Sequence, residues 1–176
     1  MTVIIAVTLC ACDPTAQQTE IEGLQEQYAN IANAKTIAQK IEITDGEITQ
    51  FESEKTYTKT DDGYTVTGTE KKFNGVDKLF DETPINETVQ KAVDAKPTLK
   101  LDEQYFEAGY RLSETGLAAN VKQANIKDVF GITGELSAPT DNLMLEMSVS
   151  GGRLSVVRIN YDSDGSHVTI TLTMAY

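Results

Sequence analysis

Residues 143–176, LMLEMSVSGGRLSVVRINYDSDGSHVTITLTMAY, alternate apolar and polar side chains with a period of two. Leu143, Leu145, Met147 and Val149 share one face, and Gly151-Gly152 then turns the chain. Val157, Ile159 and Tyr161 continue that face, while Arg158 and Asn160 point away. Leu154 and Val156 fit the opposite phase, which predicts a bulge or a two-sided stretch near Val156-Val157. Asp162-Ser163-Asp164-Gly165 turns the chain again, and Val168, Ile170, Leu172, Met174 and Tyr176 alternate with His167 and three threonines. Side chains at i, i+2 and i+4 of a strand line one face. The stretch therefore predicts three antiparallel strands with one broad apolar face and one polar face.

Working outward, the same period recurs near the other end of the chain. Ile41 and Ile43 alternate with Glu42 and Thr44, and Asp45-Gly46 is a hairpin signal. A second strand follows from Glu47 to about Lys59, with Ile48 and Tyr57 as apolar markers. After Asp61-Asp62-Gly63, the residues Tyr64, Val66 and Gly68 oppose Thr65, Thr67 and Thr69. The middle is less periodic. Asn86 to Val93 reads as a short helix between Pro84 and Pro97. Leu99 and Leu101 suggest a brief strand, Leu117 to Val121 another, and Val129-Phe130-Gly131 a helical turn closed by glycine. Tyr105, Phe106 and Tyr110 form the densest aromatic cluster, expected to anchor the core rather than line a pocket. Ile21, Leu24, Tyr28 and Ile31 recur at helical spacing, and Thr19 with Glu22 has capping-box spacing, so a helix is expected to open at Thr19.

The first twelve residues are uncharged and contain one apolar run, Val3 to Val7. It is far shorter than the roughly 20 residues a spanning helix needs. A short apolar stretch that gives way to small and then polar residues has the pattern of a secretory signal. Leu9-Cys10-Ala11-Cys12 resembles the lipobox of bacterial lipoproteins, although Met1-Thr2 brings no Lys or Arg. The resemblance implies a signal peptide at 1–11 and lipidation of Cys12, with Ala11 as the small residue before the cut. It implies a diacylglycerol on that cysteine, and stable anchoring takes more than one acyl chain. A Cys-x-Cys metal pair would need further ligands, and the chain has only these two cysteines. Residues 12–18 then read as lipidated cysteine and flexible tether, and 19–176 as a single mainly-β domain.

The formal net charge is −12. Such a surface opposes nucleic acid, whose phosphates must be neutralised by Lys and Arg, and opposes adsorption to anionic headgroups. His167 is the only histidine. It faces outward, and neighbouring Ser166 points to the other side of the strand, so the two cannot act as base and nucleophile. Asn160-x-Asp162-x-Asp164-Gly165 resembles the start of a calcium loop, but Thr171 stands where the bidentate glutamate belongs; a hairpin turn is expected. No enzymatic activity, metal or cofactor is expected.

The expected class is α+β: an N-terminal helix plus a curved, largely antiparallel β-sheet, half-barrel like, with short helices in the middle. One helix is too little cover for seven or more strands. The order of elements from Thr19 to Tyr176 resembles the LolA- and LppX-type lipoprotein-carrier fold, in which a helix and short plugs fill the concave side of a curved sheet. That resemblance implies a membrane-anchored extracytoplasmic lipoprotein that binds or carries a lipid or other apolar ligand in the concave face. Leu145, Met147, Ile159, Ile170, Leu172 and Met174 are the candidate lining, with Met144, Met147 and Met174 as adaptable contacts. The alternative is a non-catalytic cell-envelope interaction module that presents its Thr-rich outer face to a protein or wall partner. Cys12→Ser is expected to move the protein from the membrane fraction to the soluble fraction on cell fractionation; retention in the membrane would refute the lipobox.

Overall fold

In the computed structural model, which describes residues 14–89, 96–131 and 136–176, the chain opens with helix α1 (Pro14–Ala29) and a 3₁₀ turn (Ile31–Asn33). Four strands follow: β1 (Thr36–Asp45), β2 (Ile48–Thr60), β3 (Gly63–Asn74) and β4 (Leu79–Val89). The middle holds β5 (Thr98–Leu99), β6 (Arg111–Ser113), β7 (Gly116–Asn120), the short helix α2 (Ile126–Val129) and β8 (Phe130–Gly131). The last elements are β9 (Asp141–Ser150), β10 (Arg153–Ser163) and β11 (Ser166–Ala175). Nine strands form one open antiparallel sheet, ordered β4-β3-β2-β1-β11-β10-β9-β7-β6, and β5 pairs with β8 apart from it. The architecture is mainly antiparallel β, with few helices.

The C-terminal meander forms as its alternation predicts. Leu143, Leu145, Met147, Val157, Ile159, Tyr161, Val168, Ile170, Leu172 and Met174 are all buried on one face. Asp164 and Gly165 take φ of 50° and 86°, and Gly151 and Gly152 take 58° and 74°. Left-handed pairs of this kind make two-residue hairpin turns whose twist suits the strands. The phase break at Leu154 and Val156 is a register shift between β10 and β9. There the Leu154 N–H donates to Gln27 Oε1 of α1 at 2.7 Å, so the helix side chain satisfies a backbone group at the irregularity.

Helix α1 and the middle segment cover the buried face. Ile21, Leu24, Tyr28 and Ile31 are buried, as the stripe predicts. Gln25 clamps the middle segment, donating to the Leu99 carbonyl at 3.1 Å and accepting from the Leu101 N–H at 2.7 Å. Tyr105 and Phe106 are core residues, and the Tyr110 hydroxyl reaches Glu103 at 2.7 Å. The Phe130 ring lies 5.2 Å from that of Tyr161, centroid to centroid, which seats β8 on the inner face of β10.

Four local expectations are corrected. The helix begins at Pro14, not Thr19; proline suits a first turn, where no donor is required, and Ala16, Gln17 and Gln18 carry the helix onward. The proposed tether after Asp13 is therefore helical. Asn86 to Val89 are strand, not helix, paired to β3 through Asn86 opposite Thr67 and Thr88 opposite Thr65; residues 90–93 lie outside the described set. Ile85, Thr88 and Val89 favour strands, and β4 is an edge, where Pro84 can be tolerated. The turn at Val129 does not close on glycine: Phe130 is extended and Gly131 pairs with Thr98. Leu101 lies beyond the brief strand, which ends at Leu99.

The two faces should respond oppositely to charge. Met147 is 2% exposed, and Thr171 stands on the outer face between Lys40 and Arg158. Met147→Glu should abolish folding or cost about 4 kcal/mol or more, and Thr171→Glu should stay within about 0.5 kcal/mol of the parent, both read by urea unfolding. Equal tolerance would contradict the register.

Candidate functional site: a cavity on the inner face of the sheet

The cover is uneven. It fills the inner face over β7, β9, β10 and β11 but thins over β2 and β3, and β4 is exposed along most of its length. A cavity of about 470 Å³ remains there, floored by β11, β1, β2 and β3 and roofed by Lys96, Pro97 and Leu136.

The register lays out its floor in rows that cross the strands. One row runs Ile170, Ile41, Ser53, Glu70. On one side of it lie Leu172, Gln39, Lys55 and Gly68; on the other, Val168, Ile43, Phe51 and Lys72. Apolar residues therefore dominate the β11 and β1 end, and polar and charged ones the β2 and β3 end. Gly68 is required where it stands, because a Cβ would lie 1.9 Å from the Glu54 carbonyl oxygen.

Polar groups are set deep in this floor. Ser53 is 1% exposed, and its hydroxyl has no hydrogen-bond partner among the described residues. Gln39 is also buried. The Lys55 ammonium meets Glu70 Oε1 at 2.8 Å, and both side chains keep partial access to solvent. The roof is tied to the helix by Tyr28. Its hydroxyl donates to the Pro97 carbonyl, and Lys96 donates to the Tyr28 carbonyl with its ammonium 4.2 Å from the ring centroid. Burial pushes the Tyr28 phenol up, so it stays protonated and able to donate, and burial pushes the Lys96 ammonium down.

A second hollow, about 460 Å³, lies on the opposite face, among Thr56, Thr67, Thr69, Thr171 and Thr173. Lys40 and Lys55 both border it, and Lys40 is bonded to Glu52 at 2.8 Å and Glu54 at 3.2 Å. These two carboxylates, Glu52 foremost, hold the ammonium above its usual range, and Glu52 is lowered in return. At the β10–β11 turn, Asp162 Oδ2 accepts from Asn142 at 2.6 Å and Oδ1 meets His167 Nδ1 at 2.8 Å. The amide of Asn142, and then the imidazole, hold this carboxyl below its usual range. The calcium-like stretch is thus a hairpin whose Asp162 is engaged on both oxygens.

The residues expected to line a groove lie elsewhere in the core. Leu145, Met147, Ile159, Ile170, Leu172 and Met174 are all buried on the inner face, and of these six Ile170 lines the cavity. Cys12 lies outside the described residues. Sequence reasoning missed Gln39, Ser53, Lys55 and Glu70. The available signal was phase: Phe51, Ser53 and Lys55 share the inward phase of Tyr57, so polar residues occupy core positions. No helix among the described residues is long and apolar enough to cross a membrane. No protein-family model matches the chain, and no curated protein matches it in sequence.

An unpartnered buried hydroxyl costs about 1–3 kcal/mol. Ser53→Ala should therefore raise the urea midpoint of the protein, by about 1 kcal/mol in stability. A fall would mean that the hydroxyl is satisfied within the chain.

Proposed function

We propose that the chain is a membrane-anchored, extracytoplasmic lipoprotein of bacterial type, held by lipidated Cys12, that binds or carries a lipid or another apolar ligand on the inner, concave face of a curved half-barrel sheet. The observation that carries this is the cavity over β1 to β3. It has the size of a small-molecule site, about 300–1,000 Å³, and combines an apolar wall with a few fixed polar groups. The lipobox supports the anchor, and the acidic surface leaves attachment to the lipid rather than to headgroup attraction. The function is non-catalytic. The Thr-lined hollow on the outer face favours a second role, an interaction module for a cell-envelope protein or wall partner. The two roles separate by ligand response, since anything that binds only the folded state raises its stability. Full-length Cys12→Ser protein, purified without detergent, should release a bound apolar compound on solvent extraction in native mass spectrometry. Once emptied, it should gain melting temperature with added fatty acid. Bare protein that ignores fatty acid would favour the interaction module.

A further inference from the structure

The protein carries a formal net charge of −12, yet three of the four charged side chains lining the cavity are lysines: Lys55, Lys72 and Lys96, against Glu70. The neighbouring edge strand carries Asp81, Glu82 and Glu87; all three are exposed and none lines the cavity, although Asp81 stands opposite Lys72 in the register. Positive charge thus gathers at a cavity that also has an apolar wall. Its position is also ordered. Ile170 and Ile41 head the central row, Ser53 follows, and Glu70 ends it, with Lys55 and Lys72 in the flanking rows. The Ser53 hydroxyl, without a hydrogen-bond partner among the described residues, stands where apolar floor gives way to charged floor.

We propose that this cavity takes a single-chain amphiphile with an anionic head, the chain lying over Ile41, Ile43 and Ile170 and the head between Lys55 and Lys72, where an oxygen accepts from Ser53. The inference rests on the ligand-binding function proposed above and specifies its ligand. A volume of about 470 Å³ lies in the lower part of the range for small-molecule sites, which suits one chain. Lys55 is bonded to Glu70, but the pair is partly exposed, and such pairs contribute little to stability. An incoming anion can therefore share Lys55 at small cost. Charge-assisted hydrogen bonds to an anion are about twice as strong as neutral ones, so head charge should dominate selectivity.

The test uses full-length, delipidated Cys12→Ser protein and four probes of equal chain length, each below its micelle concentration: dodecanoate, dodecyl phosphate, dodecanol and dodecyltrimethylammonium. Affinities are read by calorimetry. At least one anion should bind about tenfold more tightly than dodecanol, the equivalent of about 1.4 kcal/mol, with the cation weakest. The better anion tells whether carboxylate or phosphate is the natural head. In a Lys55→Gln, Lys72→Gln double variant, confirmed folded by circular dichroism, the ratio of anion to alcohol affinity should shrink to about twofold. Glu70→Gln should widen it. Dodecanol binding as tightly as both anions, or an anion preference that survives in the double variant, overturns the proposed head while leaving the apolar ligand in place. Failure of all four probes to bind overturns both.

Discussion

Thr36 to Thr44 of β1 lie opposite Ala175 to His167 of β11, and this ladder joins two meanders that share no other strand pairing. On one side stand β2, β3 and β4; on the other β10, β9, β7 and β6. Without the ladder each half would expose an unpaired edge and half an apolar face. Closing so long a loop costs entropy that grows slowly with its length, and the contact returns a buried row for each pair of residues. Ile37 meets Met174, and Ile41 meets Ile170, all of them buried. The same ladder makes the cavity, because its floor begins on β11 and ends on β3.

The cover explains why the cavity lies there and not under α1. The helix and the middle segment are fixed by specific hydrogen bonds to each other and to β10: Gln25 to Leu99 and Leu101, Gln27 to Leu154, Tyr28 to Pro97. Those bonds hold the apolar plug over β10 and β9. Tyr57, Tyr64 and Val66 of β2 and β3 remain covered, but around Ser53, Lys55, Glu70 and Lys72 the inward positions change to Ser, Lys and Glu, which no apolar plug could cover without stranding them. The sheet thus continues past its cover, and its own inward side chains set the chemistry of the space left over.

Legibility followed how strongly local pattern and tertiary demand agreed. The final meander and the stripe Ile21, Leu24, Tyr28, Ile31 were readable because each face meets a uniform environment. Even the bulge near Val156 was visible, since a break in phase has few other causes. Asn86 to Val89 were misread because pairing with β3 overrides weak local preference, and no neighbouring strand is visible from within the segment. The helix start at Pro14 was lost because a polar first turn looks like linker. The groove was expected on β9, β10 and β11, where apolar alternation is cleanest. Clean alternation marks a face that is fully covered. Open space lies where it falters, at Ser53, Lys55 and Glu70, and in β2 the apolar markers Ile48 and Tyr57 stand only to either side of that stretch.

Local and global charge act over different lengths here. A net charge of −12 repels an anionic molecule at a distance, but at physiological salt that field fades over about 8 Å. Within the cavity the relevant charges are Lys55, Lys72, Lys96 and Glu70, close to the ligand and partly shielded from water, where the same charges act through a lower effective dielectric. The acidic exterior then opposes adsorption to anionic membranes without opposing the anionic ligand proposed for the cavity. Under the lipid anchoring proposed above, this separation leaves contact with the membrane to the anchor and occupancy to the inner face of β1, β2 and β3.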